Sequence, residues 1–189
     1  MNKILWLDIE TTGLSPENDL ILELSAAVTD DKLNVIETFS EVIHHADFIL
    51  GPKLNEFAIK THGASGLLTQ VLESTKRMPD VEEAFLTFIE KHFDKKEKVI
   101  LAGNSIHFDK SFIDRQMGEL VKSRLHYRLI DVSGFNEFLK ITVNFKVEKP
   151  VAKHRGLADV MNSIQLGKNI LGLSTGVQSD NRGPATHVS

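Results

Sequence analysis

Asp8 and Glu10 stand two residues apart at the end of the apolar run Ile4-Leu5-Trp6-Leu7. Side chains on a strand alternate between faces, so both carboxylates point the same way. Half-buried and that close together, each raises the other's pKa and costs stability unless a positive charge lies between them. A hard divalent cation bound through oxygen is the natural candidate. An Asp-x-Glu pair alone is more often a strand end with two solvated acids, so the weight falls on what other ligands the chain supplies.

Two further acids and a histidine meet that demand. Asp109 follows Gly103-Asn104-Ser105, where the short buried strand Lys98–Ala102 gives way to a helix. That junction lies at the C-terminal edge of a sheet, where open α/β sheets place their ligands. Asp159 sits on or near the apolar side of the last helix, marked by Leu157, Val160, Met161 and Ile164. His154 precedes it by five residues, about 500° of helical rotation, so the two cannot share a helix face. The histidine is therefore expected on a loop or first turn, swinging over a site that Asp159 holds from below.

This set suits two-metal phosphodiester hydrolysis. Two carboxylate-bridged ions stabilise the attacking and leaving oxygens and lower the pKa of a bound water, and a histidine of near-neutral pKa takes its proton. Oxygen ligands suit Mg²⁺ or Mn²⁺, two per site, and oxygen ligands are what this cysteine-free chain offers.

Composition bounds the protein that carries these groups. The 189 residues are enough for one domain with a sizeable core, and 41% apolar with 25% charged residues describes a globular chain. Without cysteine, disulfides, thiolate sites and cysteine nucleophiles are excluded. No apolar run spans a bilayer, and a strand starting at residue 3 leaves no room for a leader, so a cytoplasmic protein without membrane contact is expected. The net charge of −4 disfavours a grip on long nucleic acid and suits a short nucleic-acid substrate, or none.

The elements that must position the acids can be read in order. Residues 3–9, 21–28 and 34–43 read as strands joined by short connections, an antiparallel meander. His44-His45 after the third strand suits a solvated loop. A short helix is expected over 54–59. A clear helix carries Val81, Ala84, Phe85, Phe88, Ile89 and His92 on one face, with Asp80 and Glu83 as its N-terminal capping box. Strand 98–102 leads to a helix with Phe112, Ile113, Met117 and Leu120. A fifth strand runs through 126–130 and a helix follows from Ser133. Residues 142–153 suit a long loop, Gly167 weakens the end of the last helix, and the polar stretch 174–189 reads as a disordered tail. Strands alternating with helices after an antiparallel start indicate a mixed α/β sheet, one domain over residues 1–173.

On these residues the chain resembles a known family. Asp8-x-Glu10, Asn104-x-x-x-Phe108-Asp109 and His154-x-x-x-x-Asp159 resemble the three exonuclease motifs of the DEDDh branch of the DEDD 3′–5′ exonuclease superfamily. Within it, THGASGL (61–67), AGNSIHFDKSFIDRQMGEL (102–120) and HYRLIDVS (126–133) are similar to the oligoribonucleases, over residue 3 to about 165. The resemblance implies a ribonuclease H-like fold, with a five-stranded sheet antiparallel in its first three strands and then parallel. It implies a 3′→5′ exoribonuclease that degrades short single-stranded RNA, dinucleotides included, to nucleoside 5′-monophosphates. It makes Asp8, Glu10, Asp109 and Asp159 the metal ligands and His154 the general base.

The resemblance also implies a substrate set. Leu14 would wedge between two bases, Phe57 would stack on one, and His62, Ser105, Arg128 and Ser133 would cap the 5′ phosphate. Tyr127 would reach into the partner's site in a homodimer. Read as residues alone, Leu14 and Phe57 suit core positions better, Ser133 a helix N-cap and Arg128 a solvated strand charge. Two other readings stand beside the first: the same chemistry on DNA 3′ ends or longer structured RNA, and an inactive nucleic-acid-binding module.

The chain departs from the family in places. Thr11 follows the motif Glu where Met is usual, Phe57 replaces Trp and Gly134 replaces Thr. Ile141-Thr142-Val143-Asn144 stands for Arg-Trp-Tyr-Pro, and HRGLADV for HRALDDI.

Overall fold

The computed structural model describes residues 2–148 and 150–176, and for 173–176 the backbone alone. Its centre is β1 (Lys3–Thr11), flanked by β2 (Ile21–Asp30) and then β3 (Val35–Val42) on one side, both pairings antiparallel. On the other side lie β4 (Val99–Gly103) and then β5 (Leu125–Asp131), both parallel. The order β3-β2-β1-β4-β5 is the expected mixed sheet, with the antiparallel meander first. Short turns permit the antiparallel half, whereas each parallel strand requires a crossover segment.

Those segments are helices. Between β3 and β4 come α1 (Asp47–Leu50), a 3₁₀ turn, α2 (Glu56–Ala64), α3 (Leu67–Glu73) and α4 (Met78–His92). Between β4 and β5 come α5 (Ile106–Gln116) and α6 (Glu119–Arg124), and after β5 come α7 (Val132–Val143) and α8 (Gly156–Gly176).

The alternation of β1 divides the interior. Leu5, Leu7 and Ile9 face one side with Leu24, Ala26 and Val28, under Val81, Phe85 and Ile89 of α4 and Phe112 and Ile113 of α5. Trp6 faces the other side with Ala27 and Ala102, under Val160, Ile164 and Ile170 of α8. Asp8 and Glu10 have the parity of Trp6, so they emerge on the face that α8 covers. Burial of both faces is worth about 25 cal/mol per Å² of apolar surface removed from water, and it holds β1 fixed along its length.

Several expectations about the elements are corrected. Asp80 is not the N-cap of α4: Arg77 takes that position, and the Asp80 carboxylate accepts its amide at 2.8 Å. The expected helix after Asp109 is two helices, broken at Met117-Gly118, and Leu120 is 72% exposed rather than core. Helix α7 keeps residues 142 and 143, shortening the loop. Gly167 lies nine residues before the end of α8 at Gly176, and it packs closely: a Cβ there would meet the Trp6 ring at 3.0 Å. His44 and His45 are half-buried, their ring nitrogens against the carbonyls of Val71 and Ile21. The tail expected from 174 lies, from residue 177 on, outside the described residues.

Candidate active site

Three carboxylates converge at the C-terminal end of β1. Asp8, Glu10 and Asp159 each offer an oxygen within 4.8 Å of the others. The strand supplies two of them on one face, and the first turn of α8, laid over that face, supplies the third. Asp109 joins from the N-terminal turn of α5, 4% exposed, its Oδ1 accepting the Ile9 amide at 2.8 Å. The ladder between β1 and β4 stops at Trp6 and Ala102, so the Ile9 N–H lies beyond the last paired residue, and Asp109 provides its acceptor. All four acids line one cavity of about 240 Å³ with Asn104, Phe108, His154 and Asn162.

Electrostatics mark this cluster as incomplete without cations. Burial, and then the charges of Asp109, Glu10, Asp159 and Glu23, hold the Asp8 carboxyl well above its ordinary range. Burial, with Asp159, Glu23 and Asp109, pushes Glu10 up to about 8, with Arg155 pulling the other way. Burial raises Asp109 to about 7 despite the hydrogen bond from Ile9, with Asp131 adding to the rise. Mutually repelling acids in a buried pocket are the signature of a site built for positive charge. The donor set is oxygen only, which fits hard divalent ions.

His154 sits where the spacing placed it, on the loop before α8, exposed, with a left-handed backbone at φ 52°. A non-glycine residue there costs roughly 1–2 kcal/mol. The Asp159 carboxylate offsets this by accepting the amides on both sides of the histidine, Lys153 at 2.9 Å and Arg155 at 3.3 Å. Asn162 adds a bond to the carbonyl of Val151.

The substrate residues divide into groups. Leu14 is 84% and Phe57 64% exposed, so neither is core, and the Phe57 ring stands edge-on to His154 with centroids 6.1 Å apart. Ser105 and Ser133 are together, hydroxyls 3.2 Å apart. Tyr127 and Arg128 are exposed on the edge strand β5, the guanidinium 5.2 Å from the tyrosine ring centre. His62 contacts the strand that carries the acids. It is buried under Glu10, Nε2 donating to the carbonyl of Thr11 and Nδ1 3.9 Å from Glu10 Oε2, and desolvation lowers its pKa.

Two residues were missed from the sequence. Asp131 organises the serine pair: its Oδ1 accepts from Ser105 N, Ser133 N, Ser133 Oγ and Gly134 N. Burial would raise its pKa, but bonds from Ser133, Gly134 and Ser105 outweigh it and hold the group low. Asp131, not Ser133, is thus the N-cap of α7. Asp two residues before Ser at a strand-to-helix junction was a legible capping signal. Glu23 is the other, a carboxylate 1% exposed in the apolar strand ILELSAAV and paired in register with Glu10. A charge inside such a run needs a partner, and that was its signal.

A sheet of this order, with acids at the end of its central strand, defines a protein built to hold divalent cations through oxygen. Residues 5–166 match the family model described as exonuclease. An oligoribonuclease of Corynebacterium glutamicum is 37% identical over 167 residues, covering 87% of this chain and 76% of that protein. One from Chromobacterium violaceum is 38% identical over 168 residues, covering 87% and 91%. Among solved structures, a moderately thermophilic exonuclease I from Methylocaldum szegediense superimposes with a TM-score of 0.68 at 20% identity. That match covers 91% of this chain and 41% of the larger one, and it speaks for the fold alone. The chain belongs to the exonuclease family, and within it to the oligoribonucleases.

Proposed function

We propose that this protein is a metal-dependent 3′→5′ exoribonuclease that hydrolyses short single-stranded RNA, dinucleotides included, to nucleoside 5′-monophosphates. The observation that carries the reading is the convergence of Asp8, Glu10 and Asp159 beside Asp109, under an exposed His154. Two Mg²⁺ or Mn²⁺ ions held by these acids would supply the charge that stabilises the attacking and leaving oxygens.

The chain's own groups do the rest. His154 takes the proton of the attacking water as its oxygen bonds to phosphorus, the bond from phosphorus to the preceding O3′ breaks, that O3′ takes up a proton from solvent, and the 3′-terminal nucleotide leaves with its 5′ phosphate. Phe57, edge-on to His154, offers a face for one base, and exposed Leu14 offers an apolar wedge between two. Ser105 and Ser133, positioned by Asp131, form the cap on the 5′ phosphate with Arg128, which limits the substrate's length; the Ser133 hydroxyl, which donates to Asp131, would turn its proton to the phosphate on binding. Tyr127, exposed on the edge strand, contacts the site of a second copy in a homodimer. The protein works in the cytoplasm. Among the described residues no helix is long and apolar enough to cross a membrane.

The test is a 5′-phosphorylated RNA dinucleotide incubated with Mg²⁺ or Mn²⁺. Mononucleotide release that ceases on chelation supports the reading, and no release with either ion overturns it.

A further inference from the structure

We propose that Glu23 is a positioning residue that keeps the His154 loop docked while Asp159 is engaged by metal. The inference rests on the reading of His154 as general base.

The loop from Val151 to Arg155 is held from two sides. On the α8 side the Asp159 carboxylate accepts Lys153 N and Arg155 N, and Asn162 Nδ2 bonds both Asp159 Oδ1 and the Val151 carbonyl. On the β2 side Glu23 accepts Arg155 Nε at 3.2 Å, Arg155 Nη2 at 3.3 Å and the Gly156 amide at 3.1 Å. Ser40 Oγ donates to the same carboxylate at 3.0 Å, and Gln70 of α3 accepts from Arg155 Nη2 at 2.9 Å.

The two holds differ in what metal does to them. Asp159 is one of the converging acids, so its lone pairs are shared between the loop amides and any cation. Glu23 is buried and its carboxylate is committed to Arg155, Gly156 and Ser40, so its hold on the loop persists when the acids are loaded. A carboxylate at the first amide of α8 is also favoured by the helix dipole. Glu23 thereby fixes Arg155, the next residue after His154, to the strand that pairs with β1. Residues that orient a metal site from behind its ligands commonly cost 10- to 100-fold when removed.

The experiment compares Glu23→Gln, Arg155→Ala and the double variant. Turnover of a phosphorylated dinucleotide is measured with Mn²⁺, Mn²⁺ binding alone by calorimetry, and amide hydrogen exchange of residues 151–156 in the Mn²⁺-loaded protein. The expected result is a fall in kcat of roughly 10- to 100-fold in each single variant, with KM and Mn²⁺ affinity unchanged and faster exchange in the loop. The double variant loses less than the product of the two single losses, because the Glu23–Arg155 pair is common to both. An unchanged kcat, independent additive losses, or Mn²⁺ affinity falling in step with kcat overturns the proposal. If Glu23→Gln does not fold, Arg155→Ala, whose side chain is a third exposed, carries the same criteria. If the wild type does not cleave the dinucleotide, the functional reading fails, and loop exchange in the variants still decides the role of Glu23: unchanged exchange rejects it, faster exchange upholds it.

Discussion

Asp109 Oδ1 accepts the amide of Ile9, a residue 100 positions earlier and the one that separates Asp8 from Glu10. The second motif is thus bonded to the middle of the first, and Asp109 has a structural hydrogen bond as well as a charge among charges. Substitution separates the two roles. Asp109→Asn keeps an acceptor and removes a charge, so the metal-free protein should melt a few degrees higher, while the stabilisation that Mn²⁺ gives the wild type should vanish. Asp109→Ala leaves the Ile9 amide unpaired at a cost of about 1–3 kcal/mol, roughly 2–4 °C of melting temperature for each. Thermal melts with and without Mn²⁺ check both; an Asn variant less stable than wild type would mean the charge is not repelled.

The acids also set a pH dependence of opposite sign to ordinary acid denaturation. Glu10 at about 8 and Asp109 at about 7 stand above their ordinary values of 4.5 and 3.8, and Asp8 is raised with them. Between those limits the folded chain holds more protons than the unfolded one, so stability falls as pH rises through the window and levels off above it. The metal-free protein should melt higher at pH 5 than at pH 8, and saturating Mn²⁺ should abolish or reverse the difference. Equal metal-free melting temperatures at the two values would contradict the clustering.

Gly156, where the family has Ala, is explained by its neighbour. A Cβ at this position would meet Ser25 Oγ at 2.6 Å and Ser25 Cβ at 2.8 Å. Gly156→Ala should therefore destabilise by about 1–3 kcal/mol, although Ala is ordinarily the better helix residue. Ser25→Gly should relieve most of that cost, and a double-mutant cycle by denaturant unfolding would show the coupling. Additive effects would mean that the helix start moves freely away from β2.

The Asp131 network should govern recognition of the substrate's 5′ end. Asp131→Ala removes the common acceptor of the Ser105 amide, the Ser133 amide and the Ser133 hydroxyl. KM for a 5′-phosphorylated dinucleotide should rise roughly tenfold, about 1.4 kcal/mol, with little change for the 5′-hydroxyl form. Equal effects on both substrates would place the phosphate elsewhere.

Much of this architecture was legible because it obeys simple periods. Period two put Asp8 and Glu10 on one face, and the five-residue interval put His154 before a helix that carries Asp159. What was not legible depended on pairing between distant segments. Leu120 continued an apolar rhythm across Gly118, where the chain breaks and turns outward. Gly167 looked like a weak helix end because its reason, the Trp6 ring, lies on another strand. Glu23 was passed over for the same cause: its partners, Arg155 and Gly156, follow more than 130 residues later. Asp131 was hidden behind Ser133, whose amide and hydroxyl it accepts, and the contacts of His62 with Glu10 and Thr11 were not legible because they join segments some 50 residues apart.

The central claim is an exonuclease confined to short RNA, and length dependence tests it most directly. Single-turnover rates with Mn²⁺ are compared for a 5′-phosphorylated dinucleotide and a single-stranded RNA twenty-mer. The proposed 5′-phosphate cap of Ser105, Ser133 and Arg128 predicts markedly faster cleavage of the dinucleotide, because a long chain would not bring its 5′ phosphate to that cap. Equal or faster cleavage of the twenty-mer would contradict it.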